Sequence, residues 1–233
     1  MDHFRPVTTV LSDIGGTLLD TYSLRVNCHR GVCKKYLGII LSDEDISNAP
    51  WGMPFKHHLE VFLQKYSPTG DSILLDNMVK NWQDIYNVKY KSEVKPHSGV
   101  KEVLEMLASI GYKLGIVTNG SRESLIAAQQ MWDFFKLFNV MICRDDVCHL
   151  KPHPEPIQKA LDMVNALPSE SVFVGDTKYD ILAGKTAGTI TIAALWGAGQ
   201  RETLSAQNPD YLLKAISELP RLLITIETKV KKY

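Results

Sequence analysis

The stretch Asp13-Ile14-Gly15-Gly16-Thr17-Leu18-Leu19-Asp20 follows directly on the β-branched run Val7-Thr8-Thr9-Val10-Leu11. This order sets a carboxylate where a buried strand meets a glycine turn, and open α/β sheets keep their chemistry at such strand ends. Gly15-Gly16 lets the backbone turn sharply and approach an anion closely. Taken alone, Asp13 reads about as well as an ordinary turn residue ahead of two glycines.

Further along, short apolar runs alternate with helical segments from about residue 97 onward, the pattern of a parallel sheet covered by helices. The expected strands are Leu114-Gly115-Ile116-Val117, Val140-Met141-Ile142, Val172-Phe173-Val174 and Thr189-Ile190-Thr191-Ile192-Ala193, which with Val7 to Leu11 make five. Val100, Val103, Leu104 and Leu107 recur at helical spacing, as do Ile157, Ala160, Leu161 and Val164, each row a stripe for packing on the sheet. Residues 21 to about 92 carry no strand-like run. Their apolar residues, among them Leu59, Phe62, Leu63, Ile73, Met78, Trp82, Ile85 and Tyr86, fall at helical spacing. The polar stretch Lys91-Ser92-Glu93-Val94-Lys95-Pro96-His97-Ser98-Gly99 suits a linker back to the sheet. The expected fold is therefore α/β: a Rossmann-like, doubly wound parallel-sheet core with a smaller all-helical cap. The core is discontinuous, residues 1–20 and 97–233, and the cap with its linkers takes residues 21–96. Trp51, Phe55 and Trp82 are expected in the core of the cap.

With 233 residues the chain is long enough for one generous domain or two modest ones. Lys+Arg and Asp+Glu both number 26, and without a long single-sign block the chain offers no electrostatic footprint for nucleic acid. Met1-Asp2-His3-Phe4-Arg5-Pro6 lacks a basic region followed by an apolar stretch, and no window approaches a membrane span, so a soluble cytoplasmic protein with no membrane partner is expected. Cys28/Cys33 and Cys143/Cys148 match neither a metal knuckle nor a dense disulfide framework and read as reduced thiols. The C-terminal Lys229-Val230-Lys231-Lys232-Tyr233 reads as a frayed, solvated helix end. No signal in the chain specifies an oligomeric state.

Three further segments pair a strand end or helix start with polar chemistry. Thr118-Asn119-Gly120-Ser121 precedes a helix beginning near Ser121 or Arg122, where a hydroxyl and backbone N–H groups suit a phosphoryl oxygen. By itself the segment is better read as an ordinary helix cap. Lys151-Pro152-His153-Pro154-Glu155-Pro156 puts a lysine ahead of a proline-studded helix start, and an isolated lysine is normally solvated surface. Val172-Phe173-Val174-Gly175-Asp176-Thr177-Lys178-Tyr179-Asp180 is a buried strand emptying into two carboxylates four positions apart. Hard oxygen ligands of this kind suit Mg²⁺, although an N-cap at Asp176 and a first-turn Asp180 would explain either aspartate alone.

Together these segments resemble, in order, the four motifs of the haloacid dehalogenase superfamily, covering the core from Val7 to roughly Leu195. The match continues through Thr17-Leu18 and Asp20. The all-helical insertion, Ala183-Gly184-Lys185-Thr186-Ala187-Gly188 and the tail at Pro209-Asp210-Tyr211 are similar to its phosphoglycolate phosphatase-like branch. The resemblance implies a hydrolase of small phosphorylated metabolites in which Asp13 attacks phosphorus to form an aspartyl phosphate. It implies a Mg²⁺ site made by Asp13, the Gly15 carbonyl, Asp176 and Asp180. It also implies phosphate binding by Thr118, Asn119 and Gly120, and charge neutralisation by Lys151, the electrostatic factor that dominates phosphoryl transfer. Leu150 stands where relatives commonly carry Gly.

The family's phosphatases read Asp-x-Asp-Gly-Thr, and here the second aspartate is Gly15. The missing side chain protonates the leaving oxygen and activates water, a contribution of about 10²–10⁴-fold. Three readings follow. The chain is a Mg²⁺-dependent phosphatase that acts slowly, on good leaving groups, or with a proton-transfer group from the cap, where His57 and His58 are candidates. Alternatively it is a C–P bond hydrolase similar to the phosphonoacetaldehyde hydrolases, with cap Lys56 as its Schiff base. The third reading is a catalytically weak relative that binds a phosphorylated ligand or a protein.

Overall fold

The computed structural model describes residues 7–68 and 71–230, with side chains described to residue 226. The sequence readings at Met1 to Pro6 and at Lys231 to Tyr233 lie outside the described residues. The chain divides into two compact units, residues 1–19 with 96–233 and residues 20–95.

The first unit is built on a sheet whose strands read as near-continuous apolar runs, as expected where both faces are covered by helices. In chain order the strands are β1 (Thr9–Ser12), β2 (Leu19–Asp20), β3 (Lys95–Pro96), β4 (Lys113–Val117), β5 (Val140–Ile142), β6 (Ser171–Gly175), β7 (Ile190–Ala194) and β8 (Tyr211–Leu213). Six of them form one sheet in the order β5-β4-β1-β6-β7-β8. Every pairing in it is parallel. The chain leaves β1 toward β4 and β5 on one side, then returns to build β6, β7 and β8 on the other. The strand order therefore reverses beside β1, where doubly wound sheets open a crevice at their carboxyl ends. β2 and β3 pair separately as a short two-stranded ribbon.

The helices, in chain order, are α1 (Tyr22–Leu37), α2 (Asp43–Ser47), α3 (Phe55–Tyr66), α4 (Ser72–Glu93), α5 (Val100–Ser109), α6 (Arg122–Met131), α7 (Glu155–Met163), α8 (Lys178–Ala187), α9 (Arg201–Ser205) and α10 (Leu219–Val230). Of the predicted stripes, Val100, Val103, Leu104 and Leu107 on α5 and Ile157, Ala160 and Leu161 on α7 are buried, whereas Val164 follows the end of α7 and is half-buried. The α7 row packs with Leu11, Val117, Val140, Ile142, Phe173 and Ala183 into one apolar cluster. At an effect of about 25 cal/mol per Å², such burial is the main favourable contribution to this unit.

Three sequence expectations are corrected. The sheet has a sixth strand, β8, a three-residue segment with Leu212 exposed, too short and too open to signal itself. The last predicted strand begins at Ile190, because Thr189 closes the preceding helix by donating its N–H and hydroxyl to the Gly184 carbonyl, both at 3.0 Å. Lys91, Ser92 and Glu93, read as linker, continue α4, helped by a 3.0 Å Lys89–Glu93 pair at i,i+4 spacing.

The second unit consists of α1 to α4, with Leu24, Cys28, Val32, Leu59, Phe62, Met78 and Trp82 buried. Trp51 is buried as well, and Phe55 stacks on Trp82 with ring centroids 4.0 Å apart. Ile73, expected on the apolar face of α4, is instead 67 % exposed on its first turn. Two histidines lie inside this unit, stacked on one another at 5.0 Å, and His29 Nδ1 accepts the Trp82 indole N–H at 2.9 Å. Burial holds both imidazoles well below their ordinary 6.5, and the nearby Arg25 guanidinium lowers them further. The four cysteines are free thiols, three buried and Cys148 exposed. Among the described residues no helix is long and apolar enough to cross a membrane.

Candidate active site

Parallel register decides which residues meet. Ser12 lies opposite both Ile116 and Val174, so the residues just past β1, β4 and β6 emerge side by side. Asp13 still donates its backbone N–H to the Val174 carbonyl at 2.9 Å, which fixes the first carboxylate at the carboxyl end of the central strand. The chain then folds back on itself: Leu18 and Leu19 donate to the Ile14 carbonyl, and Gly16 donates to that of Leu19. Gly16 sits at φ +96°, and a Cβ there would fall 2.2 Å from Asp176 Oδ2. Only glycine satisfies both the backbone angle and the space.

Lys151 is 1 % exposed, the opposite of the surface fate expected for a lone lysine. Its ammonium donates to Asp13 Oδ1 at 2.6 Å, to Asp180 Oδ1 at 2.6 Å and to the Val117 carbonyl at 2.8 Å. Its three protons thus have three acceptors. Burial alone would drive its pKa down, but the two carboxylates outweigh burial and raise it, so the lysine stays charged. Asn119 clamps the lysine from behind: its amide donates to the Lys151 carbonyl and its carbonyl accepts the Lys151 N–H, both at 3.0 Å.

Asp176 does not cap a helix; the N-cap of α8 is Thr177, in a capping box with Asp180. The Asp176 carboxylate instead accepts from the Thr17 hydroxyl at 2.7 Å and from the Ala198 N–H at 2.8 Å. Complete burial, then the charges of Asp180 and Asp13, push its pKa up to about 7 against the lowering effect of those two hydrogen bonds. Asp180 spends Oδ1 on Lys151, and Oδ2 accepts the Thr177 N–H at 2.9 Å and its hydroxyl at 2.5 Å.

Asp13, Lys151, Asp176 and Asp180 are therefore brought into one buried cluster. Thr118 is 7 % exposed at the end of β4, with its Oγ1 accepting the Gly120 N–H at 3.1 Å. The capping role that seemed to compete for this segment falls to Ser121, which accepts from Ser124 N. Gly15 bridges to Leu19 within the turn that follows Asp13. The cap candidates belong to the other unit. Lys56 and His57 are exposed on α3, His57 Nδ1 lying 3.1 Å from Glu60 Oε2, whereas His58 is buried in the aromatic core.

Sequence reasoning missed Thr17 as a partner of Asp176 and the whole loop Trp196-Gly197-Ala198-Gly199. That loop packs on Asp176 so closely that a Cβ at Gly197 would fall 2.2 Å from the aspartate's own Cβ. Trp196 donates its indole N–H to the Thr17 carbonyl at 2.9 Å, closing the loop onto the first turn. Two glycines directly after a strand were the available signal.

One ammonium pairs with two carboxylates, and a third, Asp176, lies close enough to them that their charges add to the effect of burial in raising its pKa. Hard oxygen donors with excess negative charge, at the carboxyl end of a sheet, fit a small divalent cation. Asp13 and Asp176 are the carboxylates of this cluster that could hold it, Asp180 spending both oxygens on Lys151 and Thr177. Near the end of β4 the Thr118 hydroxyl is the group that suits an anion, since at the start of α6 the Arg122 N–H already goes to Asp145 Oδ2 at 2.6 Å and the Ser124 N–H to the Ser121 hydroxyl.

A family profile described as "Haloacid dehalogenase-like hydrolase" matches residues 10–194. Among curated relatives, the pyrophosphatase PpaX of Bacillus mycoides is 33 % identical over 220 residues, covering 94 % of this chain and 98 % of that protein. That of Anoxybacillus flavithermus is 33 % identical over 217 residues, covering 93 % and 97 %. Among solved structures, a predicted phosphoglycolate phosphatase from Haemophilus somnus aligns with a TM-score of 0.82 at 18 % identity, covering 92 % of this chain and 97 % of that one. A putative phosphoglycolate phosphatase from Lactobacillus plantarum gives a TM-score of 0.80 at 22 % identity, covering 94 % and 100 %.

Proposed function

The chain belongs to the haloacid dehalogenase-like hydrolase family, and on that premise we propose that it is a Mg²⁺-dependent phosphatase of small phosphorylated compounds with Asp13 as the nucleophile. The observation that carries this reading is the buried cluster itself, in which Lys151 bonds Asp13 and Asp180 at 2.6 Å while Asp176 forms no ion pair among the described residues.

Each side chain has a task in this reading. Lys151 holds Asp13 in place through its 2.6 Å bond, and its charge offsets that of the incoming phosphoryl group. Asp180 and Asn119 are positioning residues: one holds the ammonium, the other holds its backbone. Thr118 takes a phosphoryl oxygen through its hydroxyl. Asp13, Asp176 and the Gly15 carbonyl hold Mg²⁺, which when bound supplies positive charge against the non-bridging oxygens. Thr17 and Ala198 orient the Asp176 carboxylate for that role.

Gly15 shapes the choice of substrate. Without a side chain to protonate the departing oxygen, cleavage favours bonds whose leaving group is already stable as an anion, such as a phosphoanhydride or an aryl phosphate, over alkyl phosphates. The similarity to proteins named pyrophosphatase supports the same preference. The test is a panel of phosphoanhydrides, aryl phosphates and alkyl phosphates, assayed with Mg²⁺ and with EDTA, on wild type and Asp13→Asn. Mg²⁺-dependent turnover that the variant lacks, fastest on the anhydrides and aryl esters, is expected. Equal rates in wild type and variant would overturn the proposal.

A further inference from the structure

A second group of ligand-type side chains lies on the segment that delivers Lys151, outside the carboxylate cluster. His149, His153 and Glu155 place ligand atoms within 4.8 Å of one another. Lys151 turns inward and is buried, whereas His149 and His153, two positions before and after it, are both exposed. The turn that closes with His153 N donating to the Leu150 carbonyl at 2.9 Å carries both imidazoles to one side, their centroids 4.5 Å apart. From these juxtaposed groups we propose that His149, His153 and Glu155 form a binding site for a divalent transition-metal ion of the zinc class, separate from the catalytic carboxylates.

The donor set argues for the class of ion. Two imidazoles and one carboxylate suit zinc, copper or nickel, whereas Mg²⁺ and Ca²⁺ select oxygen alone. A tetrahedral ion about 2.0–2.1 Å from each ligand needs donor atoms roughly 3.4 Å apart. His149 Nδ1 and Glu155 Oε2 already stand 2.8 Å apart, so the ion opens that pair slightly while His153 swings in. Exposed side chains make such adjustments by rotation about their own bonds.

The carboxylate is also held from behind, as metal ligands characteristically are. Glu155 Oε1 accepts the Cys148 N–H at 2.8 Å, and Oε2 accepts the His149 N–H at 2.9 Å. His153 is steadied by the Glu155 N–H, which donates to its Nδ1 at 3.2 Å. Three protein ligands leave a fourth position for water. An ion seated there ties together the two flanks of Lys151.

The test is zinc binding by tag-free protein in excess Mg²⁺, which occupies the carboxylate cluster, measured by calorimetry and by competition with a chromophoric zinc chelator. Co²⁺ reports the geometry through its visible spectrum. Wild type is expected to take up one equivalent of Zn²⁺ and to give a tetrahedral Co²⁺ spectrum. H149A, H153A and E155Q should each weaken binding by about 10-fold or more, the scale at which even supporting partners of a metal site act. D176N should leave it unchanged, which separates this site from the proposed Mg²⁺ site. The uncharged H149Q and H153Q variants supply the same measurement if an alanine variant melts early. Absence of stoichiometric zinc binding in wild type, full binding in H149A/H153A, or loss of binding in D176N alone would overturn the proposal.

Discussion

Replacing Lys151 with methionine keeps the length and apolar stem of the side chain and removes only the ammonium. Three hydrogen bonds disappear with it: 2.6 Å to Asp13, 2.6 Å to Asp180 and 2.8 Å to the Val117 carbonyl. Breaking a buried ion pair by deleting one partner costs about 3–5 kcal/mol, because the other charge stays buried without compensation. Here two carboxylates are stranded, beside a third whose pKa burial and those same neighbours have already raised. The upper part of that range is therefore expected for Lys151→Met in EDTA at pH 8. At roughly 2–4 °C per kcal/mol for a chain of this size, the melting temperature falls by about 8–20 °C. The cause is separable by a double-mutant cycle. Asp180→Asn in the Lys151→Met background removes one stranded charge while leaving a side-chain oxygen to accept from Thr177. The double variant should then be more stable than the sum of the two single losses by about 1–3 kcal/mol. Urea unfolding read through the half-buried tryptophans of the first unit, Trp132 and Trp196, measures each corner. A Lys151→Met variant within 1 kcal/mol of wild type on the order-of-magnitude scale of surface changes, or strict additivity in the cycle, would refute the reasoning.

Three other outcomes are expected. Restoring a carboxyl at the missing position, Gly15→Asp, should raise hydrolysis of alkyl phosphates by about 10²-fold or more and that of nitrophenyl phosphate far less, since only the former needs a proton donor; steady-state rates on the two ester classes check it. Asp176 has a folded-state pKa near 7, above its unfolded value, so its contribution to stability is present at low pH and is lost as pH rises toward and through 7. Mg²⁺ relieves that loss, and the melting-temperature gain on adding Mg²⁺ should be larger at pH 8 than at pH 5; an equal gain at both would contradict the assignment of Asp176 to the ion. His29 and His58 have depressed pKa values, so their contribution is intact above about 6.5 and is lost as the pH falls below it. In an Asp176→Asn background, which removes the opposing titration, the urea midpoint of the helical unit should drop from pH 6.5 to pH 5, with a limiting slope of about 2.7 kcal/mol per pH unit for two buried imidazoles.

Much of the core was legible because its signals are local. Strand runs, helical stripes at Val100 to Leu107 and Ile157 to Leu161, and strand-end carboxylates at Asp13 and Asp176 are all patterns within a dozen residues. What escaped depends on distance in sequence. Thr17 bonds Asp176 across 159 positions and Trp196 reaches Thr17 across 179, and no periodicity encodes either contact. Asn119 reads as a cap residue until β4 and the Lys151 turn are laid side by side, whereupon both ends of its amide go to the Lys151 backbone. Asp176 reads as an N-cap one residue too early; the parallel register and the Gly197 loop show that Thr177 caps and Asp176 is left for the site. The exposed Ile73 and the short β8 fail for the converse reason, since neither buries enough apolar surface for its pattern to carry information.

The central claim is that Asp13 itself receives the phosphoryl group. With Gly15 offering no side chain to activate water, the acyl phosphate should form faster than it hydrolyses and should accumulate. Acid quench of a single turnover in Mg²⁺, borohydride reduction and peptide mass spectrometry read it directly, because reduction converts a phosphorylated aspartate to homoserine. The account predicts homoserine at position 13, confined to substrate-treated enzyme and absent when Mg²⁺ is chelated. Complete turnover with an unmodified Asp13 at every quench time would contradict it.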